Sequence, residues 1–193
     1  MKYMFIIGGS GTGKTTLADL LGVYKSNEFK VIKGSTTRNP RDGETSESYN
    51  FLTDEKYGNM LDSEKFIGES EYLMSPIKYG YEKSLLDSEK RNILIVSIEG
   101  LINAMKKINK EDDAIIIHIV FDDKPFIDRE GRDSNAEQRF NISVLRALSK
   151  TLEDGKTYIS FNNKMIQYKE FSASTLSEYY DSIKNIREHK LPE

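Results

Sequence analysis

Directly after its first apolar residues the chain contains the stretch Gly8-Gly9-Ser10-Gly11-Thr12-Gly13-Lys14-Thr15, which follows the pattern G-x-x-x-x-G-K-[ST]. The run from Tyr3 to Ile7 before it has the composition of a buried parallel strand, and Thr15 to Leu21 after it favours a helix. Between a strand and a helix, the glycines let backbone N–H groups converge on phosphate oxygens, and the helix N-terminus adds positive potential. The stretch therefore predicts a loop that binds a nucleoside triphosphate.

Two side chains of this loop have predicted roles in phosphate chemistry. Lys14 is expected to reach the transferable phosphate, and the Thr15 hydroxyl is suited to Mg²⁺. The residues predicted to contact ATP are Gly8, Gly9, Ser10, Gly11, Thr12, Gly13, Lys14, Thr15 and Thr16.

The composition limits the classes of protein to which the chain can belong. Its 193 residues suffice for one domain, and its net charge of −3 gives no reason to expect bulk nucleic acid or a membrane surface as a partner. It has no cysteine, which excludes disulfides and fits an intracellular compartment, and no apolar run is long enough for a signal sequence or a membrane span. We therefore predict a cytoplasmic protein with small-molecule partners, either a monomer or a homodimer.

Apolar runs recur between candidate helices, which predicts an α/β fold with a parallel sheet flanked by helices. Strands are expected at Val31-Ile32, Ile93 to Ile98, Ala114 to Phe121 and Tyr158 to Phe161. Helices are expected at Leu101 to Ile108, at Asn135 to Leu152 with Leu145, Leu148 and Leu152 as its apolar stripe before Gly155, and at about Ser174 to Arg187.

The stretch 34–81 interrupts this alternation with short strand-like pieces, turns and one short helix. The strand-like pieces are Ser48 to Leu52 and Glu71 to Ser75. We predict a single domain over 1–193, with a core of 1–33 and 82–193, a small inserted lobe at 34–81 and a short lid at about 129–135.

A second motif lies inside the insert. In Ser35-Thr36-Thr37-Arg38-Asn39-Pro40-Arg41-Asp42-Gly43-Glu44, two arginines flank a proline, and arginine suits phosphate through its planar, bidentate geometry. Together with the glycine-rich loop and Tyr49-Asn50-Phe51, this segment resembles the guanylate kinase family, which has T-T-R-x-P-R-x-G-E and Y-x-F in the same order. The resemblance extends from Lys2 to about Leu148.

The resemblance implies a P-loop nucleoside monophosphate kinase that uses MgATP as phosphoryl donor. Residues implied to bind the monophosphate acceptor are Ser35, Arg38, Arg41, Tyr49 and Tyr79, with Glu69 and Glu71 close to the base. Residues implied in catalysis are Lys14, Arg38 and the lid arginines Arg129, Arg132 and Arg139, because the reaction depends on neutralising the charge of the transferred group.

Positions that read the base in the family are changed in this chain. Gly34 stands where the family has a serine, Gly68 where it has a glutamate, and Tyr81 follows Tyr79-Gly80 in place of another serine. The family's D-x-D strand motif is replaced by Ile95-Val96-Ser97. Glu99 is expected on the same strand face as Ile95. Of its two possible roles, service to the metal site and a plain surface position, the surface position is favoured. We therefore expect a weaker preference for guanine than is typical of the family.

Three interpretations remain open from the sequence. The first is a kinase acting on GMP or dGMP, and the second is a kinase of the same build acting on a pyrimidine or modified nucleotide. The third is a non-catalytic binding module, which the complete loop through Lys14 and Thr15 disfavours.

Overall fold

The structure, a computed structural model, describes residues 1–9, 11–71, 76–120, 150–161, 164–171, 175, 178, 180 and 181. Its elements in chain order are β1 (Lys2–Gly8), α1 (Lys14–Tyr24), β2 (Phe29–Val31), β3 (Ser35–Thr36), β4 (Asn50–Phe51), α2 (Asp54–Asp62), β5 (Phe66–Glu71), β6 (Lys78–Glu82), a 3₁₀ turn (Lys83–Leu85), β7 (Arg91–Ile95), α3 (Ile98–Lys107), β8 (Asp113–Ile119), β9 (Lys150–Glu153), β10 (Lys156–Phe161) and β11 (Lys164–Phe171).

A seven-stranded sheet with the order β2-β7-β1-β8-β11-β10-β9 forms the centre. The neighbours from β2 to β11 pair in parallel, whereas β10 and β9 continue the sheet as antiparallel strands. The prediction of a parallel sheet flanked by helices is confirmed for its larger part, and the antiparallel edge is an addition that the alternation of elements did not indicate.

Side chains of β1 alternate between two buried clusters, one on each face of this sheet. Phe5 packs in the cluster that includes Leu101 of α3, and Ile6 packs in the cluster that includes Leu17 of α1. Because β1 is buried on both faces, the glycine-rich loop begins from a strand whose position is fixed by the core.

A separate four-stranded sheet with the order β4-β3-β6-β5 contains the second motif. Tyr57 of α2 stacks on Phe66 with ring centroids 4.7 Å apart, and its hydroxyl donates to the Tyr79 carbonyl at 2.7 Å. α2 therefore covers one face of this small sheet, and the opposite face is left for the side chains of Thr36, Tyr79 and Tyr81.

Several predicted boundaries differ from the observed ones. The strand expected from Ile93 to Ile98 ends at Ile95, because the Ser97 side chain accepts a hydrogen bond from the Gly100 N–H at 3.0 Å and starts α3. In the insert, the pieces expected at Ser48 to Leu52 and Glu71 to Ser75 correspond to Asn50–Phe51 and to the end of Phe66–Glu71, and 72–75 lie outside the described residues. The other two strands of the small sheet, β3 and β6, were not predicted.

The predicted helix from Asn135 to Leu152 is wrong at its C-terminal end. Lys150–Glu153 is a strand that pairs with β10 through a two-residue turn, in which Asp154 has φ 48° and Gly155 has φ 72°. Asp-Gly is a favoured sequence for such a hairpin turn, since both residues adopt positive φ. Residues 135–149 lie outside the described residues, as does most of the expected helix from Ser174 to Arg187.

The hairpin makes Leu152 a surface residue, with 74% of its area exposed, whereas Ile159 on β10 is 1% exposed. We expect Leu152→Ser to change the free energy of unfolding by less than about 0.5 kcal/mol. Ile159→Ala should lower it by about 2–5 kcal/mol, because it leaves a cavity in the core. Urea denaturation of both variants measures this difference, and a large loss of stability for Leu152→Ser would instead support the helix.

Within the described ranges, no helix combines the length and apolar character that crossing a bilayer requires.

Candidate active site

The glycine-rich loop connects β1 directly to α1. A Cβ at Gly8 would lie 2.5 Å from the Ile119 carbonyl oxygen of β8, so only glycine allows the loop to leave the sheet at this point. Gly13 has φ 89° and forms the N-cap of α1 in a left-handed conformation. The Thr12 hydroxyl is buried and donates to the Gly9 carbonyl at 3.0 Å, which closes the loop on itself.

Lys14 folds back over this loop. Its Nζ atom donates to the carbonyl oxygens of Gly8 at 2.7 Å and Gly9 at 2.6 Å. The ammonium group therefore lies at the centre of the loop, where a triphosphate would replace carbonyl oxygens as its partner.

The first turn of α1 contains no acidic side chain, so the positive end of the helix dipole is not neutralised there. Thr15 and Thr16 both lie in this turn and are exposed. The described part of the chain contains no cluster of three or more His, Cys, Asp or Glu side chains that would hold a metal ion by itself. The Thr15 hydroxyl, exposed in this turn, is a group that could hold a Mg²⁺ ion entering with ATP.

A tyrosine from the C-terminal region completes the loop. The Tyr180 hydroxyl donates to the Gly13 carbonyl at 2.8 Å, and the same carbonyl accepts the Leu17 N–H at 2.9 Å. The sequence predicted only that Tyr180 belongs to a helix at about Ser174 to Arg187, and the residue packs beside the α1 cluster. Its contact with the loop was not predicted, because no sequence pattern relates two segments so far apart in the chain.

We expect Tyr180→Phe to raise the KM for ATP about fivefold with little change in kcat, because one hydrogen bond of about 1 kcal/mol that orients the Gly13 peptide is lost. Steady-state kinetics with ATP varied at saturating acceptor measure the effect, and Tyr158→Phe on β10 is the matched control. An unchanged KM for ATP would show that the contact does not support nucleotide binding.

The second half of the site lies on the small sheet. The Arg38 guanidinium donates to both carboxylate oxygens of Glu44, at 2.6 and 2.8 Å, and only 8% of its side chain is exposed. It lies 5.2 Å from the centre of the Tyr49 ring, and Tyr49 meets Tyr79 edge-on with centroids 6.4 Å apart. The Glu44 carboxylate and the Tyr49 ring thus fix the orientation of the Arg38 guanidinium, a group whose planar geometry suits phosphate.

The turn after Arg38 brings the second arginine to the same carboxylate. The backbone N–H of Arg41 donates to Glu44 at 2.9 Å, while its side chain is exposed. The hydrogen bond from Arg38 lowers the pKa of Glu44 to about 2, so this carboxylate stays ionised at any working pH. The pair therefore holds the motif in one geometry and leaves Arg41 directed towards solvent.

The structure does not bring Ser35, Glu69 and Glu71 into this cluster. The Ser35 hydroxyl donates to Glu82 at 2.9 Å on the face that α2 covers. Glu69 forms an ion pair with Lys107 of α3 at 2.6 Å, and its other carboxylate oxygen is buried without a hydrogen-bond partner among the described residues. Glu71 is exposed, and its backbone N–H donates to Glu99 at 3.3 Å.

The position of Glu99 follows from the end of β7 at Ile95, earlier than expected. Since it lies in the first turn of α3 rather than in a strand, the expectation that it shares a face with Ile95 is wrong. Its carboxylate accepts the Glu71 N–H instead. Ser10 and the predicted lid residues Arg129, Arg132 and Arg139 lie outside the described residues.

Comparison with known proteins agrees with this arrangement. The sequence profile of the family described as guanylate kinase matches residues 1–154. The chain is 28% identical over 151 residues to the guanylate kinase of Prochlorococcus marinus (strain MIT 9312), a match that covers 76% of this chain and 80% of that protein. It is 30% identical over 111 residues to the guanylate kinase of Chlamydia muridarum (strain MoPn / Nigg), covering 55% and 53%.

The fold is similar to the crystal structure of guanylate kinase from Anaplasma phagocytophilum, with a TM-score of 0.61 and 17% identity, over 96% of this chain and 83% of that one. This likeness confirms the predicted P-loop fold. Because the family profile covers most of the chain and the phosphate-binding features are in place, the chain belongs to the guanylate kinase family and is an ATP-dependent nucleoside monophosphate kinase.

Proposed function

We propose that the chain transfers the γ-phosphoryl group of MgATP to the phosphate of a guanine nucleotide, GMP or dGMP. The proposal depends above all on the Arg38–Glu44 pair over Tyr49, which forms an anion site on a sheet separate from that of the ATP loop. The names of the relatives support guanine as the base of the acceptor.

In this reaction an oxygen of the acceptor phosphate attacks the γ-phosphorus, and the oxygen bridging the β- and γ-phosphorus atoms leaves with ADP. Lys14 neutralises charge on the donor phosphates, while Arg38 and Arg41 neutralise charge on the acceptor. The Tyr49 ring lies 5.2 Å from the Arg38 guanidinium and meets Tyr79 edge-on, which supports a role for both tyrosines in orienting the acceptor phosphate. Thr15 is the residue that would hold the Mg²⁺ ion of MgATP, and the ion would neutralise charge on the donor phosphates.

The domain assignment is part of this proposal. Residues 34–81 form the acceptor-binding lobe, 1–33 and 82–193 form the core, and about 129–135 form the lid that supplies Arg129 and Arg132, with Arg139 just beyond. Closure of the lobe and the lid on both nucleotides excludes water and brings the arginines around the transferred group.

A coupled assay of ADP formation tests the proposal, with MgATP as donor and GMP or dGMP as acceptor. We expect turnover that depends on both nucleotides and is absent with guanosine. A thermal-shift measurement with the non-hydrolysable analogue AMP-PNP accompanies it, because ligand binding raises the melting temperature by an amount that increases with affinity. A chain that binds GMP but neither binds AMP-PNP nor turns over would instead be a binding module.

A further inference from the structure

A buried histidine at the carboxyl edge of the main sheet has no part in the proposed mechanism. His118 is the penultimate residue of β8, and only 3% of it is exposed. Its Nδ1 atom lies 2.7 Å from the hydroxyl oxygen of Tyr168 on the neighbouring strand β11. Because ligands of α/β sheets bind at the carboxyl edge, this histidine is a candidate for a role in binding as well as in packing.

The hydrogen bonds of Tyr168 determine which ring nitrogen of His118 carries the proton. The Tyr168 hydroxyl donates its one hydrogen to the Glu170 carboxylate at 2.6 Å. Its oxygen can therefore bond to the imidazole only as an acceptor, so the Nδ1 atom carries a hydrogen. In the neutral ring the other nitrogen, Nε2, is then unprotonated. Within the described part of the chain, no residue forms a hydrogen bond with Nε2.

The pairing of β1 with β8 places His118 close to the glycine-rich loop. His118 is in register with the apolar residue Ile7, and the next pair along the two strands is Gly8 with Ile119. The Gly8 carbonyl oxygen accepts a hydrogen bond from Nζ of Lys14 at 2.7 Å. Because paired strands are about 4.8 Å apart, phosphates bound at Lys14 would lie roughly 10 Å from the imidazole.

Charged and titratable groups from three elements act on the ring. On β11, a carboxylate oxygen of Glu170 lies 3.4 Å from Nδ1. On β9, the Lys150 ammonium group lies 4.0 Å from the same carboxylate oxygen and 4.5 Å from the centre of the Tyr168 ring. Burial lowers the pKa of His118, Glu170 opposes this effect, and the positive charges of Lys150 and Lys14 add to it. The imidazole is therefore neutral at pH 7 in the free enzyme.

We propose that His118 is a proton-linked residue of the ATP site: its Nε2 atom is unprotonated in the free enzyme and takes up a proton from solvent when a triphosphate binds at Lys14. The proposal rests on the proposed function, because it assumes that the glycine-rich loop binds ATP. The phosphates neutralise the ammonium charge and bring negative charge of their own, which favours an imidazolium ion. Since the proton adds to Nε2, the hydrogen bond from Nδ1 to Tyr168 is retained.

Proton uptake links the affinity for ATP to pH. The proton and the nucleotide each strengthen the binding of the other by the same factor. Opposite charges roughly 10 Å apart at a protein surface change a pKa by about 1, which corresponds to a factor of about ten. The affinity for ATP should therefore rise as the pH falls from the pKa of His118 in the complex to its lower pKa in the free enzyme.

A pH titration of the histidine signals tests the proposal directly, because the chain contains only two histidines, His118 and His189. NMR spectra of the ring Cε1–H groups are recorded between about pH 5 and 8, without ligand and with saturating Mg²⁺ and AMP-PNP. His189→Gln assigns the two signals. We expect the pKa of His118 to lie below the ordinary value without nucleotide and to rise by about 1 in the complex. A pKa that saturating nucleotide leaves unchanged would overturn the proposal.

A substitution separates proton uptake from a purely structural role. His118→Asn retains a donor towards Tyr168 but cannot take up a proton. Calorimetric Kd values for Mg²⁺–AMP-PNP are compared with those of the wild type, so that protonation of the ligand itself cancels in their ratio. The variant should bind as tightly as the wild type at about pH 8 and about three- to tenfold more weakly at about pH 5.5. His189→Gln is the matched control and should keep a ratio near one at both pH values.

Equal weakening by His118→Asn at both pH values would indicate a structural role and contradict the proposal. The measurements also separate it from the proposed function. A rise in the pKa of His118 with AMP-PNP, in an enzyme that does not turn over GMP, would reject the kinase and leave the proton linkage standing. Turnover of GMP with an unchanged pKa would do the reverse, and the absence of AMP-PNP binding would reject both.

Discussion

Replacing Lys14 by alanine should lower kcat at least about a thousandfold, because we propose that the ammonium group at the centre of the loop neutralises charge on the donor phosphates. In the structure this group donates to the Gly8 and Gly9 carbonyl oxygens at 2.7 and 2.6 Å. The variant should still fold, since the loss of hydrogen bonds in a partly exposed loop costs only about 1 kcal/mol each. The coupled assay at saturating GMP and ATP measures the effect.

Lys30→Ala is the matched control, because Lys30 is an exposed lysine on the edge strand β2. It should keep the wild-type kcat. Near-normal turnover of Lys14→Ala with a folded protein would show that the loop binds phosphate without contributing to transfer.

A second large loss of activity is expected when Arg38 is substituted. Arg38→Ala should lower kcat/KM for GMP about a thousandfold, because it removes the buried cation of the acceptor site and leaves the Glu44 carboxylate without its bidentate partner. Without Arg38 the pKa of Glu44 would return towards its ordinary value, but the carboxylate would still be charged at neutral pH and would repel the acceptor. Arg38→Lys should recover only a small part of the loss, since lysine cannot make the fork geometry.

Arg91→Ala controls for the loss of an ion-paired arginine. Arg91 pairs with Asp113 at the amino ends of β7 and β8, at the sheet edge opposite the loop. Its removal should leave kcat/KM for GMP within about twofold of the wild type. If Arg38→Ala weakened GMP no more than Arg91→Ala does, Arg38 would not bind the acceptor.

The parts of the fold that the sequence predicted are those set by local chemistry. The loop from Gly8 to Thr15 requires glycine where the backbone takes positive φ or approaches β8, so its pattern identified both strand and helix. The segment from Arg38 to Glu44 could likewise be singled out from its residue types. In the structure, a turn of a few residues brings the Arg38 side chain and the Arg41 backbone N–H to the Glu44 carboxylate.

Other features depended on competition between local signals or on distant contacts. The apolar run to Ile98 suggested one long strand, but the Ser97 cap ended β7 and turned Glu99 onto a helix. Likewise, a helical spacing through Leu152 was outweighed by the Asp-Gly turn, whose positive φ values favour a hairpin. The hydrogen bonds from Tyr180 to the Gly13 carbonyl and from Tyr81 to the Ile95 carbonyl arise only from tertiary packing.

The ion-paired position of Glu69 belongs to the same class. Its distance of 2.6 Å from Lys107 depends on how β5 packs against α3, which no spacing in the sequence specifies. The phosphate-binding role of the two motifs stays a prediction from residue types, whereas the contacts of Glu69 could be found only in the structure.

The central claim, phosphoryl transfer between the two halves of the site, is tested most directly by following a labelled phosphate. The enzyme is incubated with ATP labelled at the γ-phosphate, GMP and Mg²⁺, and the nucleotides are then separated. We expect the label to appear in the β-phosphate of GDP, in a one-to-one ratio with ADP. Label found only in inorganic phosphate, or retained in ATP, would contradict it.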